Sequence, residues 1–286
     1  MRLARAAGVA VEAIRGSGFI TTAKLDHSPV TEADLAADRI ITEGLRAARP
    51  GVRILSEESQ WSASERDDFD SALTDDDDEL WCIDPIDGTE AFIDRRTRGY
   101  AVQIAKLVRV GSGHAGHWKP VLGVVFEPNH DELFAAVSGE PLVFERAGVA
   151  VTDNERVGAI GPGRIVTSTR APEGLRQALF ARGFGDAGKL RSVGIKVAAL
   201  VKGQAEIYPA APALAYWDLA APQVVLEAAG GTVTDIEGQA PAYRFGSAAN
   251  PTDELTFALP LLLTRGVDHA AVLVELQAAA ELNRGR

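Results

Sequence analysis

The sequence predicts an α/β fold in two joined lobes, and three observations carry that expectation. Helical periodicity fills the start of the chain, and alternating apolar and polar residues recur between about residues 100 and 145. In the second half, short extended runs alternate with helical ones, the pattern of a layered α/β sandwich. At 286 residues, 46% of them hydrophobic and 24% charged, the chain can bury a substantial core.

The elements follow in order. MRLARAAGVAVEAIRGSG has Arg2 and Arg5 among small apolar residues, as a secretory leader would. Glu12 and Arg15 interrupt the apolar run, so an amphipathic helix fits better. Ser28-Pro29 marks a turn. Thr31 then opens a helix with apolar positions at Leu35, Ile40, Ile41 and Leu45, ended by Pro50-Gly51. VRIL reads as a strand with Glu57 and Glu58 at its exit, and the polar residues 60 to 79 read as a surface loop or partial helix. The apolar run Trp81, Cys82, Ile83 enters the stretch DPIDGT, after which a short helix starts. YAVQIAKLVRV, PVLGVVFEP and ELFAAVSG read as antiparallel strands, with GSGHAGHWK as one connection. GAIGPG, residues 158 to 163, divides an N-terminal lobe (1–157) from a C-terminal lobe (158–286). Beyond it RIVTSTR is a strand, EGLRQALFARG and GIKVAALVKGQ are helices and AEIYPA is extended. WDLAAPQVVLEAAGG is a helix, with Asp218 at its N-cap, Pro222 in an early turn and Gly230-Gly231 at its stop. TVTDIEG and FALPLLLTRG are strands, and a last helix covers about 267 to 283.

Charge and cysteine content narrow the function. Lys plus Arg number 29 against 40 Asp plus Glu, a formal net charge of -11, which opposes a nucleic-acid-coating role because phosphate backbones need a basic footprint. A small anionic substrate remains compatible if something local, such as a metal ion, supplies positive charge. The single cysteine, Cys82, excludes an intrachain disulfide and fits a reducing compartment. No apolar stretch approaches the roughly 18 residues of a membrane span, so the expectation is a cytoplasmic protein.

Asp84 and Asp87 pose the chemical question. An isolated D-P-x-D reads equally as a strand-to-helix turn in which Asp87 caps the helix. Gly88-Thr89 favours a site, because backbone N–H groups at a helix start attract an anion such as phosphate. Carboxylates beside a phosphate repel it unless a divalent cation lies between them, and oxygen-only ligands suit Mg²⁺. Of Glu57 and Glu58, alternation along a strand sends one toward such a site and the other away. Asp34 has capping-box spacing from Thr31 and reads as a helix-start residue as well as a site acid. Together these acids stand at four separate element termini, where loops converge.

The ordered pieces SPVTEAD, SEES, WCIDPIDGTEAF and YWDLAAPQVVLEAAGG resemble the inositol monophosphatase superfamily of Mg²⁺-dependent, Li⁺-sensitive phosphatases, from about residue 24 to the final strand. The resemblance implies a layered αβαβα sandwich of the inositol monophosphatase and fructose-bisphosphatase type, and hydrolysis of a phosphomonoester. By position, it assigns Glu57, Asp84 and the Ile86 carbonyl to a first Mg²⁺, and Asp84, Asp87 and Asp218 to a second. It has Glu57 and Thr89 activate water, with Asp34 bonding Thr89 and supporting a weaker third ion. It has the Gly88 and Thr89 N–H groups hold the phosphate. Li⁺ is expected to inhibit, and homodimers are common in that family.

For the substrate, EAFI after DGT, the stretch YAVQIAKL and the position of Lys196 resemble the 3'(2'),5'-bisphosphate nucleotidase branch, which acts on 3'-phosphoadenosine 5'-phosphate. That likeness makes Lys196, Arg191 and Asp87 candidate substrate contacts. Two departures stand against it: Tyr208-Pro209 is followed by Ala210 where some bacterial members have arginine, and IDRRTRG lengthens the segment after Phe92. Lys196 has a plain alternative as a solvent-facing helix lysine. The alternative substrates are inositol 1-phosphate or a sugar phosphate, and outside that class stands a non-catalytic metal- and phosphate-binding regulator. RDDFDSALTDDDDE lacks the glycine and ligand spacing of a calcium loop, His114 and His117 read as loop histidines, and Cys82 reads as a buried structural thiol.

Overall fold

A helix that packs against a sheet by its small residues opens the computed structural model, which describes residues 1–24, 28–59, 79–94, 99–111, 117–151, 163–169, 173–244 and 255–284. Helix α1 (Arg2–Ser17) buries Ala4, Ala7, Gly8 and Val11. A Cβ on Gly8 would lie 2.4 Å from the Phe126 ring, so the close approach needs glycine there. Strands β1 (Thr21–Ala23) and β2 (Pro29–Thr31) form an antiparallel pair that leads into helix α2 (Glu32–Ala48). Its buried stripe is Ala33, Ala37, Ile41 and Leu45 at i, i+4 spacing. Leu35, one of the apolar positions of this helix, is 50% exposed, because the alanines rather than the larger residue face the core.

Seven strands form the first sheet in sequential order. They are β3 (Arg53–Ser56), β4 (Glu79–Asp87), β5 (Ala101–Val110), β6 (His117–Glu127), β7 (Glu132–Val137), β8 (Val143–Arg146) and β9 (Val149–Ala150). Only the β3/β4 pair is parallel. A short helix α3 (Thr89–Ile93) follows β4. The second sheet has the order β11-β10-β12-β16-β14, from β10 (Arg164–Ser168), β11 (Gly185–Leu190), β12 (Ile207–Ala210), β14 (Thr232–Asp235) and β16 (Leu261–Thr264). β13 (Leu214–Ala215) and β15 (Thr256–Phe257) make a separate pair.

Helices separate and flank these sheets. α1 and α2 cover one face of the first sheet over the cluster of Ile41, Ile83, Phe92, Val102 and Phe126. Helices α5 (Val193–Val201) and α6 (Tyr216–Ala228) lie between the sheets, where the largest apolar cluster draws residues from both. α6 is apolar around most of its circumference, as a central-layer helix must be. A Cβ on Gly123 of β6 would lie 2.4 Å from the Ala221 carbonyl oxygen, so glycine sets the depth at which α6 docks. Helices α4 (Glu173–Phe180) and α7 (His269–Arg284) close the far side through Leu179, Val272 and Leu276. The result is five layers, αβαβα.

Several expectations change in detail. α6 begins at Tyr216 with Ala215 as N-cap, so Asp218 is its third residue and Pro222 lies inside the helix. Asp218 still serves the helix start, accepting the Ala215 N–H at 3.3 Å. β11 was not foreseen, because GDAGKL has neither alternation nor apolar density. As an edge strand paired with β10 alone, it needs little of either. The first sheet ends at Ala150 and the second starts at Arg164. Most of the proposed boundary at 158–163 lies outside the described residues, as do the acidic stretch 60–78, residues 95–98 after Phe92, and His114. Among the described residues, no helix is long and apolar enough to cross a membrane.

Candidate active site

The parallel pairing of β3 with β4 creates the site. It sets Ser56 beside Ile83, so both strands release their next residues at the same edge, and the Glu57 N–H donates to the Ile83 carbonyl at 3.1 Å. β4 continues through the Asp-Pro-Ile-Asp stretch to Asp87. The N-cap of α3 is Gly88, at φ 93° in the left-handed region, so Asp87 is not that helix's cap. A Cβ on Gly88 would come within 3.2 Å of the Gly99 carbonyl oxygen and of the Ser192 Cβ. From the central layer, the first turn of α6 supplies Asp218.

Asp84, Asp87 and Asp218 each offer a carboxylate oxygen, and these oxygens all lie within 4.8 Å of one another. Asp84 is 1% exposed, and neither of its oxygens has a hydrogen-bond partner among the described residues. Burial, and then the charges of Glu57, Asp87 and Asp218, hold its carboxyl well above the usual range. Burial, then Asp87 and Glu57, push Asp218 up to about 8. Asp87 is raised by burial, against the opposing pull of donors from Ser192, Gly194 and Val193. Such a group of acids is costly unless protonated or neutralised by a cation. The orphaned Asp84 oxygens and the all-oxygen donor set fit a hard divalent cation.

Thr89 and Asp34 meet at the same place. The Thr89 hydroxyl lies 3.1 Å from both Asp34 Oδ1 and the Ile86 carbonyl oxygen, and can donate to either. Asp34 is fully buried and accepts the Thr31 N–H at 2.8 Å, while Thr31 Oγ1 accepts the Ala33 N–H at 3.2 Å. The two readings of Asp34 are therefore compatible: one oxygen completes the capping box and the other faces Thr89. Burial is the largest influence on its carboxyl and raises it.

Glu57 and Glu58 do not divide between two faces. β3 ends at Ser56, so both sit in a turn where strand alternation no longer applies. Lys24 Nζ pairs with Glu57 Oε1 at 2.8 Å and with Glu58 Oε1 at 2.7 Å. Burial and the Glu57 charge push Glu58 up to about 7. Nothing local in the sequence marks Lys24; the surplus of acids at the site was the one hint that a cation lies nearby.

These groups border a cavity of about 200 Å³ lined by Glu57, Asp84, Ile86, Gly88, Thr89 and Asp218, with Ser28 and Pro29, Glu90, Ser168 and Thr169, and Arg191 around them. Arg191 pairs with Glu90. Lys196 is not solvent-facing: it is 1% exposed, donates to the carbonyls of Leu190 (3.2 Å) and Arg191 (2.9 Å), and lies over the Tyr208 ring. Burial lowers it to about 8, against the charges of Asp87 and Asp218. Cys82 is buried and its thiol is pushed up by burial, which makes it inert. His117 opens β6. Sequence reasoning also missed Gln103 and Ser192, which hold Asp87; only the serine before the apolar run of α5 carried a visible helix-cap signal.

Comparison with known proteins identifies the family and agrees with the fold. A profile of the inositol monophosphatase family matches residues 1–267. The 3'(2'),5'-bisphosphate nucleotidase CysQ of Escherichia coli (strain K12) is 32% identical over 243 residues, covering 83% of this chain and 89% of that protein. The inositol-1-monophosphatase of Bacillus subtilis (strain 168) is 28% identical over 240 residues, covering 82% of this chain and 83% of that one. Among solved structures, the IMPase of Thermotoga maritima superposes with a TM-score of 0.70 at 22% identity, over 98% of this chain and 96% of its own.

Proposed function

The chain belongs to the inositol monophosphatase family, a family of phosphatases, and from that premise we propose that it is a Mg²⁺-dependent 3'(2'),5'-bisphosphate nucleotidase. Its substrate in this reading is a small bisphosphorylated nucleoside, 3'-phosphoadenosine 5'-phosphate, from which it removes one phosphate. The observation that carries the metal-dependent chemistry is Asp84: a fully buried carboxylate with no hydrogen-bond donor on either oxygen among the described residues, beside Asp87 and Asp218. The substrate class rests on the 32% identity to CysQ across most of both chains. The reducing interior of a cell suits the free, buried Cys82.

Asp84, Asp87, Asp218, Glu57 and the Ile86 carbonyl would hold the ions, with Asp34 supporting a weaker third. When bound, Mg²⁺ supplies neutralising charge for the phosphate and acidity for a coordinated water. The chain's own groups do the rest. The Thr89 hydroxyl, fixed by Asp34 and the Ile86 carbonyl, orients the attacking water, and Glu57 takes its proton. The N–H groups of the N-cap Gly88 and of Thr89, the first residue of α3, grip the phosphate oxygens. Arg191 provides a side-chain cation in the cavity for the substrate's other phosphate, and Lys196 acts from behind, as a buried counter-charge to Asp87 and Asp218.

Phosphate release from 3'-phosphoadenosine 5'-phosphate, inositol 1-phosphate and fructose 1,6-bisphosphate, with Mg²⁺ and with added Li⁺, tests this. The nucleotide should be preferred and Li⁺ should inhibit. The B. subtilis relative supports a second reading, and a wide preference for inositol 1-phosphate would replace the first with it. No turnover of any substrate would favour a binding protein.

A further inference from the structure

Asp87 is held by more donors than any other acid of the cluster, and all but Gln103 of β5 come from the start of α5, far away in sequence. Its Oδ2 accepts from the Ser192 hydroxyl at 2.6 Å, from the Gly194 N–H at 2.6 Å and from the Gln103 amide. Among the described residues its Oδ1 accepts only the Val193 N–H, at 3.1 Å. Ser192 is also the N-cap of α5, accepting the Ile195 N–H at 3.0 Å. Ser192 is 0% exposed and Gln103 1%. The packing is built for this approach, since a Cβ on Gly194 would come within 3.1 Å of Gln103 Nε2.

We propose that Ser192 and Gln103 are positioning residues for Asp87: they saturate Oδ2, fix the carboxylate plane, and leave Oδ1 as the atom presented to the cation. The proposal rests on the reading of Asp87 as a metal ligand. Asp84 is the complement, a ligand whose oxygens meet no hydrogen-bond donor among the described residues. One carboxylate is thus preset and the other adjusts. Arg191 directly precedes Ser192, so the segment that anchors the metal ligand also carries the cation that borders the substrate cavity. Donors that orient a metal ligand typically set affinity by tenfold or more.

The test is Mg²⁺ binding by calorimetry, together with thermal unfolding in chelator, for the wild type, Asp87→Asn, Ser192→Ala and Gln103→Met. Ser192→Ala should weaken Mg²⁺ about tenfold or more, and Gln103→Met should do the same while leaving the α5 cap intact. A helix cap with no positioning role predicts a lower melting temperature for Ser192→Ala with Mg²⁺ affinity within twofold of wild type. That result, or unchanged affinity in Gln103→Met if Ser192→Ala fails to fold, overturns the proposal alone. Unchanged binding in Asp87→Asn would remove the reading beneath it.

Discussion

Asp218→Asn should make the metal-free protein more stable at neutral pH. The Asp218 carboxyl is pushed up to about 8 by burial, then by Asp87 and Glu57, against about 3.9 in an unfolded chain. Between those values the folded protein keeps a proton that the unfolded chain has released. Stability without metal is therefore greatest below about pH 4 and falls as pH rises toward 8, by about 1.4 kcal/mol per unit for one proton. From pH 6 to 7.5 the loss is about 2 kcal/mol. The acids titrate together, so this proton belongs to the cluster, and removing one charge should also ease the remaining pair. Urea unfolding in chelator at both pH values measures it. Wild type should lose about 2 kcal/mol across the interval and the variant much less, so the variant's advantage in melting temperature should grow by about 4 °C from pH 6 to pH 7.5. Saturating Mg²⁺ should restore the wild type and leave the variant nearly unmoved. A wild-type stability that is flat or rising over this range would refute the electrostatic reasoning.

Thr89→Val should lower kcat by about a hundredfold or more with little loss of stability, measured by steady-state phosphate release, because only the hydroxyl that orients water is lost. Lys24→Met leaves the Glu57 and Glu58 carboxylates facing each other; metal-free stability should fall by about 1–2 kcal/mol in urea unfolding, partly recovered by Mg²⁺. Arg191→Ala should raise KM for 3'-phosphoadenosine 5'-phosphate about tenfold or more and leave KM for inositol 1-phosphate nearly unchanged, in the same assay.

What could be read in the sequence was what local chemistry encodes. Trp81 to Thr89 combines an apolar strand, two acids and a glycine turn in one short stretch, so its site character survives without any partner. The helix opened by Thr31 and Asp34 was legible for the same reason. What depends on register was not. The convergence of Glu57 and Glu58 on Lys24 follows from the parallel β3/β4 pairing that brings Ser56 beside Ile83, and the bond from Ser192 to Asp87 joins residues 105 positions apart. The stripe of α2 was legible at Ile41 and Leu45 but not at Ala33 and Ala37, which count little on a hydrophobicity scale although small residues suit close packing between helix and sheet. The depth of Lys196 was hidden by its charge, although the apolar run around it in GIKVAALV belongs to a fully buried helix.

Mg²⁺ titration of wild type and Asp84→Asn by calorimetry is the direct test of metal binding, since neither Asp84 oxygen has a hydrogen-bond donor among the described residues to lose. Binding should be saturable in the wild type and unmeasurable in the variant, with a fold preserved by circular dichroism. Equal Mg²⁺ affinity in the two proteins would contradict Asp84 as a metal ligand.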